Sequence, residues 1–302
     1  MGFVKRPVFE WRLRTRGMRL GERTLVMGVL NVTPDSFSDG GLYLDSGRAV
    51  ERALQMLDDG AALLDLGGES TRPGASVVSA AEEQDRVLPV IEGILKARPE
   101  TVISIDTYKA ATARACLRAG CEIVNDVSGF LWDEGMTAAC ADEPCGVVLM
   151  HTRGRPNEWR GLPALEPEAV LPLVRDGLRE RLAVAVAAGV TVERLVLDPG
   201  YGFGKVMMEN YPLLARQDEL LELGRPLLVG LSRKSFLRRV LERDLDGLVR
   251  DAGEDLTTAT VAACTAAVLG GAHIVRVHDV KPVVAALAVA DTMLGARCYR
   301  SS

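Results

Sequence analysis

Short apolar, β-branched runs alternate with longer amphipathic stretches along the whole 302-residue chain, and this rhythm restricts the fold more than any other feature. The strand-like runs are LVMGVL (25–30), LLDLGG (63–68), VISID (102–106), EIVND (122–126), GVVLM (146–150), LVLDP (195–199), LLVGL (227–231) and IVRVH (274–278). Between them lie helical patterns such as DSGRAVERALQMLDDG (45–60), SAAEEQDRVLPVIEGILKA (79–97) and YKAATARACLRAG (108–120). Two more follow, PEAVLPLVRDGLRERLAVAVAAG (167–189) and TTATVAACTAAVLGG (257–271). Gly60, Gly120, Gly189 and Gly270 stand where helix C-caps need a left-handed residue. Near-continuous apolar strands imply a parallel sheet covered by helices. Eight strands, each followed by a helix, is the number that closes a (β/α)8 barrel; a doubly wound open sheet is the alternative.

The residues ahead of Leu25 alternate and turn at Gly17, which predicts a β-hairpin lying across the bottom, N-terminal end of the barrel. No linker or shift of composition interrupts the chain, so the expectation is an α/β protein with one domain over 1–302, residues 1–24 forming the hairpin extension. A chain that is 48% hydrophobic and 25% charged is far from disorder, and a net charge of −5 argues against nucleic acid or an anionic membrane as partner. No apolar run reaches the roughly 20 residues of a bilayer span, and the basic start lacks the apolar core of a signal peptide. The six cysteines (116, 121, 140, 145, 264 and 298) form no CxxC, which favours buried free thiols in a reducing, cytoplasmic setting. Three histidines and no HExxH leave no structural zinc site to expect.

Polar residues fall at the C-terminal end of every strand run. Asn31 ends the first, GGESTR (67–72) the second, Asp106 the third and Asn125–Asp126 the fourth. Met150–His151 end the fifth, Asp198 the sixth, SRKS (232–235) the seventh, and Arg276 with His278 the eighth. Singly, each has a plain reading: Asp106 could cap the next helix, His278 could be a core histidine, and GYGFGK (200–205), which fits neither GxxxxGK[ST] nor GxGxxG, could be a flexible turn. In a barrel all eight ends meet on one face, where active sites of this architecture are built. There Asp106, Asn125 and Asp198 suit the N–H edges of a flat heterocycle, and Lys234 supplies a positive donor. Arg72, Arg276 and His278 suit a phosphate, while Ser235 opens a helix whose N-terminus could hold a carboxylate. No nucleophile for covalent catalysis stands out.

The segments MGVLNVTPDSFSDGG, DLGGESTRPGA, SIDTYK, NDVSG, LMHTRG, LDPGYGFGK, LVGLSRKS and GAHIVRVHDV, in this order, resemble the bacterial dihydropteroate synthases, a pterin-binding TIM-barrel family. The resemblance runs from about Leu25 to the end of the last helix. It implies condensation of 6-hydroxymethyl-7,8-dihydropterin diphosphate with p-aminobenzoate, releasing pyrophosphate, in folate synthesis. Asp106, Asn125, Met150, Asp198, Phe203 and Lys234 would then hold the pterin. Asn31, Thr71, Arg72, Arg276 and His278 would hold the diphosphate, Asn31 also reaching Mg²⁺. Phe37, Pro73 and Ser235 would form the p-aminobenzoate pocket, where sulfonamides compete. Asp39 and Arg72 would join Asp106, Asp198 and Lys234 in catalysis by a dissociative route. The helix between the last two strands, used by many relatives for pairing, implies a homodimer. Folate-binding methyltransferases would not need SFSDGG, ESTRPGA or RVHDV. A non-catalytic pterin-binding paralogue would be expected to lack part of the set Asn31, Asp39, Arg72, Lys234, Arg276 and His278, and the chain is too short to carry a second fused enzyme.

Overall fold

The computed structural model describes residues 4–33, 42–70, 76–244 and 252–297. Two short antiparallel strands come first, β1 (Phe9–Arg12) and β2 (Gly17–Leu20), paired Phe9 with Leu20 and Arg12 with Gly17. Gly17 therefore opens the second strand, and the turn lies just before it.

Eight parallel strands follow: β3 (Leu25–Asn31), β4 (Leu63–Gly67), β5 (Ile103–Asp106), β6 (Ile123–Asp126), β7 (Gly146–Met150), β8 (Leu195–Asp198), β9 (Leu228–Val229) and β10 (Ile274–Val277). Their spatial order is β8-β7-β6-β5-β4-β3-β10-β9. A parallel bridge between Leu197 and Leu227, with the Leu197 N–H donating to the Pro226 carbonyl at 3.0 Å, joins the two outer strands. The closed barrel is thus favoured over the open sheet. Nine helices are described around it: α1 (Leu42–Asp58), α2 (Ala80–Ala97), α3 (Ala110–Arg118), α4 (Met136–Asp142), α5 (Pro167–Ala187), α6 (Asn210–Ala215), α7 (Ser235–Asp244), α8 (Ala252–Leu269) and α9 (Val280–Arg297).

Strand alternation sorts the side chains into two cores. Leu64, Leu66, Ile103, Ile105 and Val147 face outward, packing in one cluster with Val87, Ile91 and Ile94 of α2. Met27, Leu63, Ile123, Val148, Val196, Leu228 and Ile274 face the axis and share a second cluster with Trp11, Leu13 and Leu20 of the hairpin. The hairpin is therefore the floor of the barrel. Gly146 makes room for it, since a Cβ there would lie 2.7 Å from Leu13 Cδ2 and 3.1 Å from Trp11 Cε2. The Trp11 indole N–H donates to the Arg194 carbonyl at 2.9 Å, satisfying the polar atom of a fully buried ring. Glu122, just before β6, accepts the Thr15 N–H at 2.8 Å and the Thr15 hydroxyl, tying the hairpin's turn to the sheet.

Helix ends follow the sequence signals with two exceptions. Ser79 caps α2 through the Glu82 N–H at 3.1 Å, and Gly60, Gly120 and Gly189 take φ of 103°, 114° and 97°. After α8, however, the left-handed residue is Gly271 (φ 97°), not Gly270. Lys109 occupies the N-cap position of α3, so Asp106 is released from capping and points into the barrel. Cys116, Cys121, Cys140, Cys145 and Cys264 are buried free thiols, as expected; Cys298 lies outside the described residues. No helix among the described residues is long and apolar enough to cross a membrane.

Candidate active site

Above the apolar floor the inward positions turn polar. Asp65, in the middle of β4, is wholly buried, and its Oδ2 accepts from Asn125 Nδ2 at 2.9 Å and from Arg276 Nε at 2.5 Å. Arg276 Nη2 donates to Asp106 Oδ2 at 2.6 Å. One guanidinium on β10 is thus forked between carboxylates on β4 and β5, with the β6 carboxamide sharing the deeper one. Burial pushes the Asp106 carboxyl up to about 7 despite the attraction of Arg276, and the negative charges of Asp65, Glu83 and Asp126 add to the rise. The same two carboxylates push the guanidinium of Arg276 further toward its charged form, outweighing its burial. Asn31 ends β3 opposite Gly67. Its Oδ1 and Asp106 Oδ2 lie 3.9 and 3.8 Å from where a Gly67 Cβ would stand, so both side chains border this glycine.

The other half of the site is built on β8. Asp198 Oδ1 accepts the Gly200 N–H at 2.7 Å. Burial raises its carboxyl to about 6, against the lowering effect of that N–H and of the Lys234, Arg276 and Lys205 charges. Lys234 is pushed down to about 8 by burial and by Arg276, while Asp198 and Asp106 oppose the fall. Its ammonium lies 4.3 Å from the centre of the Phe203 ring, a cation–π contact. Phe203 in turn meets Trp159 edge-on, with ring centres 5.3 Å apart.

GYGFGK is neither a phosphate loop nor a loose turn. Gly200, Gly202 and Gly204 have φ of 66°, 78° and 71°. A Cβ on Gly200 would stand 2.0 Å from the His151 carbonyl oxygen, so only glycine fits. The Lys205 ammonium, buried beneath, donates to the carbonyls of Gly200 (2.8 Å), His151 (3.3 Å) and Phe203 (3.3 Å). Asn210 accepts the Gly202 N–H at 2.7 Å.

At the β10 end the His278 N–H donates to Ser232 Oγ at 3.2 Å, and His278 Nδ1 lies 3.0 Å from the same oxygen. A hydroxyl that accepts from the backbone can donate to Nδ1 or accept from it, according to the ring's tautomer. Burial first, then the Arg276 and Arg233 charges, depresses the imidazole to about 3, so it is neutral at neutral pH. Met150 closes β7 facing inward, 3% exposed. Ser235 opens α7 as anticipated and is exposed.

The structure therefore brings together Asp106, Asn125, Asp198, Phe203, Lys234 and Arg276, with Asn31 at the rim beside Asp106. Phe37, Asp39, Thr71, Arg72 and Pro73 lie outside the described residues. Sequence reasoning missed Asp65, whose signal was one acid inside the apolar run LLDLG with the inward parity of Leu63 and Gly67. It also missed Lys205 and the carboxylate network of Glu69 and Glu83. There Glu69 accepts the Lys109 ammonium and the Tyr108 hydroxyl (3.0 Å). Glu83, 1% exposed, takes Thr112 at 2.7 Å, Thr107 at 3.1 Å and Lys109 at 3.2 Å.

Comparison with known proteins bears on this arrangement. The profile of the family described as "Pterin binding enzyme" matches residues 27–278. The dihydropteroate synthase of Synechocystis sp. is 39% identical over 290 residues, covering 96% of this chain and 94% of that protein. Two solved structures superpose over nearly the whole chain. The dihydropteroate synthase of Xanthomonas albilineans with 4-aminobenzoic acid gives a TM-score of 0.83 at 41% identity, covering 94% of this chain and 98% of that one. The Yersinia pestis dihydropteroate synthase in a sulfonamide drug complex gives 0.84 at 38% identity, covering 95% and 100%. The chain belongs to the pterin-binding enzyme family and, within it, to the dihydropteroate synthases.

Proposed function

We propose that the cluster at the barrel mouth binds 6-hydroxymethyl-7,8-dihydropterin diphosphate and passes its pterinylmethyl group to p-aminobenzoate. The observation that carries this reading is the convergence of acceptors and cations from separate strands at one end of the barrel. Asp106 and Asp198 face it with Asn125, and Lys234 lies against the Phe203 ring. In this reading Asp106, Asn125 and Asp198 accept the N–H groups of the pterin, with Met150 and Phe203 on its faces and Lys234 donating. With Nδ2 committed to Asp65, the Asn125 Oδ1 is the atom left to accept.

Arg276, His278 and Asn31 take the diphosphate, joined by Thr71 and Arg72. Two of the five guanidinium N–H groups are held by Asp65 and Asp106, which fixes the direction of the rest. Mg²⁺ fits this donor set, because the ion takes few protein oxygens and completes its shell with substrate phosphate and water; the Asn31 carboxamide is the hard oxygen at the rim. When bound, it would neutralise charge on the departing diphosphate. The pocket's own part is electrostatic: its carboxylates favour positive charge on the pterin methylene, and Arg276 favours the leaving group. C–O cleavage then precedes attack by the amine, as a dissociative route requires. Ser235, with Phe37 and Pro73, forms the p-aminobenzoate pocket where a sulfonamide competes, and Asp39 and Arg72 take part in catalysis.

We read residues 1–302 as one domain, supported by the burial of the hairpin in the barrel floor. The working setting is the cytoplasm and the active form a homodimer across α8, to be tested by sedimentation. Equilibrium titration of pterin diphosphate, with and without Mg²⁺, tests the site. Wild-type protein should bind and D198N should lose at least about tenfold, the worth of one charge-assisted hydrogen bond. Equal affinity of the two would refute the assignment.

A further inference from the structure

Lys205 has no part in the reading above, yet it is the least ordinary residue beneath the site. It is 4% exposed, and an ammonium held in a protein interior is costly unless its donors are all used. Lysine has three N–H donors and no acceptor. Here three carbonyls meet it: Gly200 at 2.8 Å, His151 at 3.3 Å and Phe203 at 3.3 Å. Those carbonyls belong to the loop that carries Phe203 and to the end of the neighbouring strand β7. The peptide joining Pro199 to Gly200 supplies the N–H held by Asp198 Oδ1 at 2.7 Å. Further ties converge on the same knot, since Arg153 Nη1 donates to the Gly204 carbonyl at 3.0 Å and the His151 N–H donates to the Asp198 carbonyl at 2.9 Å.

We infer that Lys205 is a positioning residue of the pterin site: its ammonium knots the His151, Gly200 and Phe203 carbonyls together, setting the Phe203 ring and the Asp198 carboxylate, and places a positive charge beside Asp198. The inference rests on the pterin reading of the pocket.

The charged and titratable groups facing Lys205 are Asp198 on β8, Lys234 after β9, His151 and Arg153 after β7 and Glu209 before α6. Those facing Asp198 are Lys234, Arg276 and the buried Tyr201 in addition to Lys205. Burial, with the Lys234 and Arg153 charges, brings Lys205 down to about 7. At the lower pH where Asp198 titrates, about 6, Lys205 therefore carries its charge and helps keep Asp198 ionised. Removing that charge must raise the Asp198 carboxyl further, so the loss appears on the acid side of the activity profile.

The test compares wild type, K205M, K205Q and K205R by steady-state kinetics across pH 5 to 9, with thermal melts alongside. K205M keeps the stem and loses charge and donors, K205Q keeps amide donors without charge, and K205R restores both. The expected result is a KM for pterin diphosphate raised about tenfold in K205M, with the KM for p-aminobenzoate within about twofold. The acid limb of kcat/KM should move upward in K205M and K205Q and return in K205R. A K205M protein that melts lower but keeps both KM values and the acid limb of wild type would overturn the inference, leaving Lys205 a fold residue. Should K205M not fold, K205Q decides: an unmoved acid limb overturns the inference, and an upward shift supports it. Wild type that turns over no substrate would overturn the synthase reading itself, an outcome distinct from variants that match an active wild type.

Discussion

Arg276 Nε and Asp65 Oδ2 lie 2.5 Å apart inside the barrel, and the same oxygen takes Asn125 Nδ2 at 2.9 Å. Asp65 sits in the middle of its strand rather than at the mouth, yet it fixes the orientation of two groups assigned to substrate binding. Asp65→Asn keeps the volume and removes the charge, so the KM for pterin diphosphate should rise about tenfold, or ~1.4 kcal/mol. Asp65→Ala leaves Arg276 and Asn125 without this partner, and breaking a buried pair in this way costs about 3–5 kcal/mol of stability. Urea melts and kinetics check both; an Ala variant with wild-type stability and KM would contradict the role.

The pH profile of kcat/KM follows from three shifted groups. Asp198 and Asp106 must be ionised to accept ring N–H groups, and burial has raised them to about 6 and about 7. Activity should therefore fall as pH drops through this interval, well above the ordinary carboxylate range. Lys234 must be charged to donate, and it is lowered to about 8, so a second fall is expected as pH rises through that value. Asp198→Asn should remove Asp198's share of the acid limb. A profile flat from pH 5 to 9 would show that these groups do not control binding.

Trp11 is fully buried in the floor among Met27, Leu63 and Val196. Trp11→Ala should cost about 3–5 kcal/mol of stability, seen as an earlier denaturant midpoint, while both KM values stay within about twofold at temperatures where the fold persists. A large KM change with little loss of stability would mean the floor shapes the site directly.

Phe37 and Asp39 share the segment VTPDSFSDGG, Phe37 assigned to the p-aminobenzoate pocket and Asp39 to catalysis. Replacing both with Ala should raise the KM for p-aminobenzoate at least about tenfold and leave pterin diphosphate affinity nearly unchanged by calorimetry. Equal loss of both would sink the assignment.

The barrel and its mouth were legible because parallel strands buried on both faces read as apolar runs that break at a polar residue where the chain leaves the sheet. Asn31, Asp106, Asn125, Asp198 and Arg276 were found by that break alone. Asp65 was hidden for the opposite reason. It sits before the break, and only closure of the barrel turns its side chain to an interior where Arg276 can meet it. Lys205 read as the tail of a glycine-rich turn, since nothing local shows that three carbonyls from two loops surround its ammonium. The neutral state of His278 depends on burial and on Arg276 and Arg233, which no spacing in the sequence reveals. Gly270 and Gly271 are equivalent as letters, and the last turn of α8 decides which takes the left-handed conformation.

Pyrophosphate release by the purified protein, with pterin diphosphate and Mg²⁺ and with or without p-aminobenzoate, tests the central claim most directly. The predicted result is release that depends on p-aminobenzoate and is matched mole for mole by dihydropteroate. Tight pterin diphosphate binding with no release under either condition would contradict it and leave the mouth cluster as a pterin-binding site without transfer.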